Sequence, residues 1–78
     1  MQEIEIRLRS VQDVQEFVAI ATEQPFDVMV GNDETHKVSG GSFMEMFCLD
    51  FTRPMFASAE CTEQEFAPFR SAVAKFGV

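Results

Sequence analysis

Hydrophobic and charged residues alternate strictly at the start of the chain, from Glu3 to Arg9. Ile4, Ile6 and Leu8 take every second position in this segment. A period of two residues places one set of side chains in a core and the other set in solvent. The segment is therefore predicted to be a strand with one exposed face.

A helical pattern follows, and its apolar positions are Val11, Val14, Phe17, Val18 and Ala21. Ser10 and Asp13 resemble a capping box, with aspartate in place of the usual glutamate. Pro25 disfavours helical geometry at the residue before it. The first helix is thus predicted to begin at Ser10 and to end before Pro25.

Alternation returns at Phe26, Val28 and Val30, which predicts a second strand ending at the turn residues 31–33. A short third strand over 35–39 would complete a hairpin.

A second helix is predicted after Gly40 and Gly41, where Ser42 and Glu45 form an S-x-x-E capping box. This helix would have about two turns and end near Asp50. A fourth strand is predicted from Arg53, with Met55, Ala57 and Ala59 on one face.

The third helix is predicted from a capping box at Thr62 and Glu65. Its inward stripe comprises Phe66, Phe69, Val73 and Phe76. Pro68 removes an amide donor inside this helix, so we expect the helix either to begin late or to be kinked. The complete order is β-α-β-β-α-β-α, which predicts an α+β fold with the helices on one face of an open antiparallel sheet.

The length and the net charge of the chain argue against several classes of function. The chain has 78 residues, with 6 Lys+Arg against 13 Asp+Glu and a formal net charge of −7. We expect one domain over 1–78, whose small core leaves little room for an enclosed catalytic cleft, so an enzyme is not expected. The acidity argues against nucleic acid and anionic membranes as partners.

The cysteines and the N-terminal sequence favour the cytoplasm. Cys48 and Cys61 form no metal-binding or redox motif, and we expect them to be buried free thiols. Charged residues interrupt any apolar run near the start, so no signal peptide is predicted.

Three segments resemble the HPr family, the histidine phosphocarriers of the bacterial sugar phosphotransferase system. Residues 16–21 (EFVAIA) resemble the family's Q-F-V-x-x-A run, and 38–44 (VSGGSFM) resemble A-x-A-K-S-[IL]-[MF]. Residues 47–51 (FCLDF) resemble the variant F-S-L-D-L. The resemblance covers nearly the whole chain. It implies an HPr-like open-faced β-sandwich with sheet order 1-4-2-3 and three helices on one face.

The same resemblance shows what this chain lacks. The carrier histidine position falls on Ser10, the active-site arginine position on Gln12, and the following proline position on Asp13. A serine phosphate ester is too stable to pass its phosphoryl group on, and Gln12 brings no positive charge. The lone histidine, His36, falls in the predicted hairpin and is expected to be exposed, without a second metal ligand. Phosphocarrier activity is therefore expected to be lost.

Ser42 has two interpretations. In Gram-positive members of the family the matching serine is phosphorylated by a regulatory kinase, and a catabolite-repression sub-family keeps it without the carrier histidine. The capping box explains the same serine structurally, and Glu45 would repel a phosphate. The lysine that often precedes the serine in the family is Gly41 here.

The second helix carries a candidate docking surface comprising Phe43, Met44, Met46 and Phe47. The family binds its partners through this helix and the start of the first helix. Four large apolar residues on a short helix either all enter the core or leave an exposed patch. The second possibility predicts a protein partner.

Three functions follow. The first is an HPr-like interaction or regulatory module without the phosphorylatable histidine. The second is a regulatory paralogue phosphorylated on Ser42 in carbon catabolite control. The third is a ferredoxin-like small-ligand or enzyme domain, which would have sheet order 4-1-3-2. No cofactor and no metal site is predicted.

Overall fold

The computed structural model describes residues 1–77 and has the predicted order of strands and helices. Its elements are β1 (Gln2–Ile6), α1 (Val11–Thr22), β2 (Met29–Gly31), β3 (Lys37–Ser39), α2 (Phe43–Met46), β4 (Met55–Ala59) and α3 (Glu63–Ala72), followed by a 3₁₀ helix (Ala74–Phe76).

The four strands form one antiparallel sheet in the order β1-β4-β2-β3. In its central row, Ile4 lies opposite Ala57, and Ala57 lies opposite Val30. The predicted fold class and the order 1-4-2-3 are confirmed. The ferredoxin-like alternative is wrong, because it requires the order 4-1-3-2.

The core lies between the sheet and the helices. The sheet contributes the inward residues of its strands, and α1 and α3 contribute Phe17, Phe66 and Phe69, which are fully buried. Phe17 and Phe69 meet edge to face with ring centroids 6.0 Å apart. Val73 and Phe76 are also buried. The predicted inward stripe of the third helix is therefore confirmed.

The first two strands are shorter than the alternation predicts. β1 ends at Ile6, although Leu8 is buried, because the Arg7 amide donates to the carbonyl oxygen of Phe76 at 2.7 Å instead of continuing along β4. β2 begins only at Met29. Alternating burial can thus extend beyond the residues that form the hydrogen-bonded ladder.

The helical predictions need three corrections. α2 has a single turn and ends at Met46, not near Asp50. α3 begins at Glu63 and continues through Pro68, so the predicted late start is wrong. Pro68 lies on the exposed side, where the carbonyl that it leaves unbonded can reach water. Val11, placed in the apolar stripe of the first helix, is 56% exposed.

One polar contact connects the β2–β3 hairpin to the loop before β4. The Asn32 side-chain amide donates to the carbonyl oxygens of Asp50 and Pro54, at 2.9 and 3.1 Å. Its oxygen accepts from the Asp50 amide at 2.9 Å. The hairpin backbone is tight beside it, since a Cβ at Gly31 would lie 2.5 Å from the carbonyl oxygen of His36.

Both cysteines are free, but neither is in the core. Cys48 is exposed and Cys61 is half-buried, so the expectation of buried thiols is wrong. Desolvation, with a smaller effect of Glu65, raises the pKa of the Cys61 thiol. Over residues 1–77, no helix has the length and hydrophobicity needed to cross a membrane.

Candidate functional site

Ser10, at the predicted carrier-histidine position, is the N-cap of α1. Its hydroxyl oxygen accepts from the Asp13 amide at 3.1 Å. The Asp13 carboxylate in turn accepts from the Arg9 amide at 2.9 Å. The Asp13 amide at this helix terminus is therefore already occupied, and the Asp13 carboxylate stands beside it. Gln12 is exposed and does not line the adjoining groove.

A mostly apolar groove of about 240 Å³ opens beside this terminus. We call it the α1 groove, and it is lined by Leu8, Arg9, Ser10, Val11, Val14, Phe47 and Phe51. It joins the first turn of α1 to the residues that follow α2. The structure thus brings two of the predicted site residues, Ser10 and Phe47, to one place.

Exposed apolar side chains continue from the groove across α2. Phe43 and Phe47 meet edge to face with centroids 4.8 Å apart, and Phe47 meets Phe51 in the same way at 5.8 Å. Phe43 is 36% exposed, Phe47 46% and Met44 83%. Together with Val11 these three form what we call the apolar patch. Exposed apolar side chains that adjoin a groove are typical of a protein contact surface.

Met46 does not belong to this patch. Its side chain is completely buried, since it is the residue that the single turn of α2 directs into the core. The prediction that Met46 contributes to a docking surface is therefore corrected, whereas Phe43, Met44 and Phe47 remain accessible.

Ser42 is the N-cap of α2. Its hydroxyl oxygen accepts from the Glu45 amide at 3.3 Å, and the Glu45 carboxylate accepts from the Ser39 amide at 3.4 Å. Gly41, the preceding residue, packs against Thr22 at the C-terminal end of α1. Ser42 therefore lies toward the other end of α1 from Ser10, and the two serines belong to separate sites.

The remaining candidate chemistry is sparse. His36 is exposed in the hairpin turn, as the sequence predicts. Residues 1–77 contain no group of three or more His, Cys, Asp or Glu side chains placed to hold a metal ion.

Two aspartates stabilise turns near the site. Hydrogen bonds from the Thr35 hydroxyl and amide lower the pKa of Asp33, and those from Thr52 lower the pKa of Asp50. Asp33 lies in the β2–β3 turn, and Asp50 is the residue that Asn32 contacts.

Sequence reasoning missed two groups of surface residues. Val11 followed the helical spacing of the core stripe, although its position directly after the N-cap places it at the exposed end of α1. Met29 and Phe56 lie at the outward-facing positions of β2 and β4, where a polar residue is usual. Met29 and Phe56 could have been identified as large apolar residues at strand positions where the alternation calls for a polar one.

Comparison with known proteins adds information about the fold. No family model matches the chain, and no curated protein matches it in sequence. Among solved structures it is similar to HPr-C-His from Thermoanaerobacter tengcongensis, with a TM-score of 0.74 and 19% identity. The match covers 96% of this chain and 93% of that one. The chain therefore has the HPr-like fold.

Proposed function

We propose that the chain is a divergent HPr-like protein that acts as a protein-interaction or regulatory module and carries no phosphoryl group on a histidine. The observation that carries this proposal is the α1 terminus. Serine replaces the acceptor, the Ser10 hydroxyl engages the Asp13 amide, and the Asp13 carboxylate engages the Arg9 amide just before the helix. The Asp13 carboxylate would also repel an incoming phosphate.

The α1 groove and the apolar patch support the interaction role. Val11 and Phe47 line the groove and expose large apolar surfaces, and Met44, one helical turn before Phe47, is 83% exposed. Exposed apolar side chains grouped beside a groove are typical of a surface that a partner covers. The patch thus supports a protein partner rather than a small ligand.

Phosphoryl transfer is the first test. Incubation with phosphoenolpyruvate and the general enzyme of the phosphotransferase system is expected to leave the chain unphosphorylated, as measured by intact-protein mass spectrometry. The variant Ser10→His/Gln12→Arg is the matched control, since it restores the family residues on the same scaffold. Phosphate on His36 of the unmodified chain would refute the proposal.

The docking role needs a separate test. A photo-cross-linking residue at position 11 is expected to give a discrete adduct in cells, and Phe47→Ser should abolish it. The same residue at position 64, on the exposed side of α3, is the control. Equal adducts from both positions would show that the apolar patch is not a specific interface.

Phosphorylation of Ser42 is the competing function. The hydrogen bond with the Glu45 amide explains this serine without a phosphate, and the Glu45 carboxylate, which accepts from the Ser39 amide, adds negative charge on the same side of the helix start. Incubation with ATP and the HPr serine kinase is therefore expected to give no product. Incorporation that disappears in Ser42→Ala would favour the catabolite-control function instead.

A further inference from the structure

The sheet face opposite the helices is uncovered, and its outward side chains form two rows across the four strands. The strand register places them as Glu3, Ser58, Met29 and Ser39 in one row, and Glu5, Phe56, Gly31 and Lys37 in the other. This open sheet face is remote from the α1 groove, which lies on the helical side.

Two grooves lie on the open sheet face. The smaller, of about 180 Å³, has Phe56 in its lining together with Glu3, Asp33, Glu34 and Lys37. The larger, of about 490 Å³, includes Phe26, Met29, Asp27 and Glu60 and also contacts Lys37. Each groove therefore combines apolar side chains with carboxylates, and Lys37 stands between the two.

Six of the 13 acidic residues of the chain lie on this face or beside its two grooves. Its carboxylates are Glu3, Glu5, Asp27, Asp33, Glu34 and Glu60. Lys37 is the one basic side chain in the lining of either groove, whereas the whole chain has a formal net charge of −7. Within residues 1–77, none of these carboxylates forms an ion pair with Lys or Arg.

Lys37 shows how a cationic side chain fits here. Its stem passes Gly31, where a Cβ would lie 3.1 Å from the Lys37 Cγ, and its ammonium nitrogen is 3.4 Å from the Ser58 hydroxyl oxygen. The lysine thus lies along the sheet, with its methylenes beside Gly31 and its ammonium group at the Ser58 hydroxyl. Ser58 is almost fully buried, whereas Glu3 and Met29 in the same row are exposed.

We infer that the open sheet face is a second docking surface, whose occupant is a lysine- and arginine-rich segment of a partner protein with interspersed apolar side chains. The carboxylates complement the basic residues, and the side chains of Phe56 and Met29 offer apolar contacts between them. Nucleic acids and anionic lipids are repelled by the same charge. The inference is independent of the role assigned to the α1 groove.

The probe for this surface is a nine-residue peptide of alternating lysine and leucine, and the control peptide has glutamate in place of lysine. Titration of the isotope-labelled protein is expected to shift the amide resonances of Glu3, Met29, Lys37 and Phe56, while those of Val11 and Phe47 stay in place. Binding should weaken as salt is raised, and the glutamate peptide should not bind.

Charge-neutralising variants complete the test. Glu3→Gln/Glu34→Gln is expected to raise the Kd of the lysine peptide about fivefold, because exposed ion pairs contribute modestly. The matched control Glu23→Gln/Glu63→Gln changes two exposed carboxylates on the helical side and should leave the Kd unchanged. Equal weakening by the two variants, or shifts confined to Val11 and Phe47, would overturn the inference.

Discussion

Two groups of phenylalanines in this protein make similar contacts and have opposite fates. Phe66 and Phe69 in α3 pack closely and are fully buried, whereas Phe43 and Phe47 at the two ends of α2 also pack closely and remain exposed. The difference comes from the helices, since α3 has 10 residues and α2 has four. Contact between aromatic rings therefore does not decide burial. A longer helix can place several apolar side chains on the sheet, and a single turn can place fewer.

The largest expected effect tests the buried group. Phe69→Ala removes a ring that contacts Phe17, Phe26 and Phe66, and it should lower the free energy of unfolding by about 3–5 kcal/mol. Urea denaturation followed by circular dichroism measures this change. A loss below about 1 kcal/mol would contradict the assignment of this residue to the core.

The next effect concerns the polar contact that holds the loop after α2. Asn32→Ala removes the hydrogen bonds to Asp50 and Pro54 and should cost about 1–3 kcal/mol in the same assay. Asn32→Asp is the matched control, because it keeps the acceptor for the Asp50 amide and loses only the donors. If both variants had the stability of the parent, the loop after α2 would have to be held by apolar packing alone.

A smaller effect depends on pH. Because the pKa values of Asp33 and Asp50 are lowered in the folded state, both carboxylates contribute stability above their ordinary value of 3.8. This contribution is lost as the pH falls through the lowered values. Urea midpoints should therefore decrease below about pH 4, and less so in Asp50→Asn. Identical acid profiles for the parent and Asp50→Asn would contradict this assignment.

The smallest effect on stability is expected in the exposed group. Phe47→Ser should change the free energy of unfolding by about 1 kcal/mol or less, since 46% of the side chain is already in water. Measuring the free energies of unfolding of Phe47→Ser and Phe69→Ala in the same experiment compares the exposed and the buried group directly. A loss as large as that of Phe69→Ala would mean that the apolar patch is structural and is not maintained for a partner.

Sequence patterns predicted the element order and the core stripe of α3 because both depend on local periodicity. The ends of the strands were harder to predict, since Leu8 continues the alternating burial of β1 although the chain no longer pairs with β4 there. Which of the four apolar residues at α2 enters the core could not be predicted, because it depends on how much room the small core leaves around Met46.

In the candidate site, too, local features were predictable from the sequence and features made by tertiary packing were not. Ser10 and Ser42 were recognisable as N-caps, since the partner lies three residues along the chain. The α1 groove was not, because it joins Val11 to Phe51 through tertiary packing. The grooves on the open sheet face depend on strand register in the same way.

The contact between Arg7 and Phe76 has a consequence for the order of folding. β1 pairs with β4, and its end is bonded to Phe76 and bridged to Gly77, so these partners all come late in the chain. During synthesis β1 emerges before any of them, and closing so long a loop is entropically costly. The segment that begins the chain is therefore expected to be among the last to join the sheet.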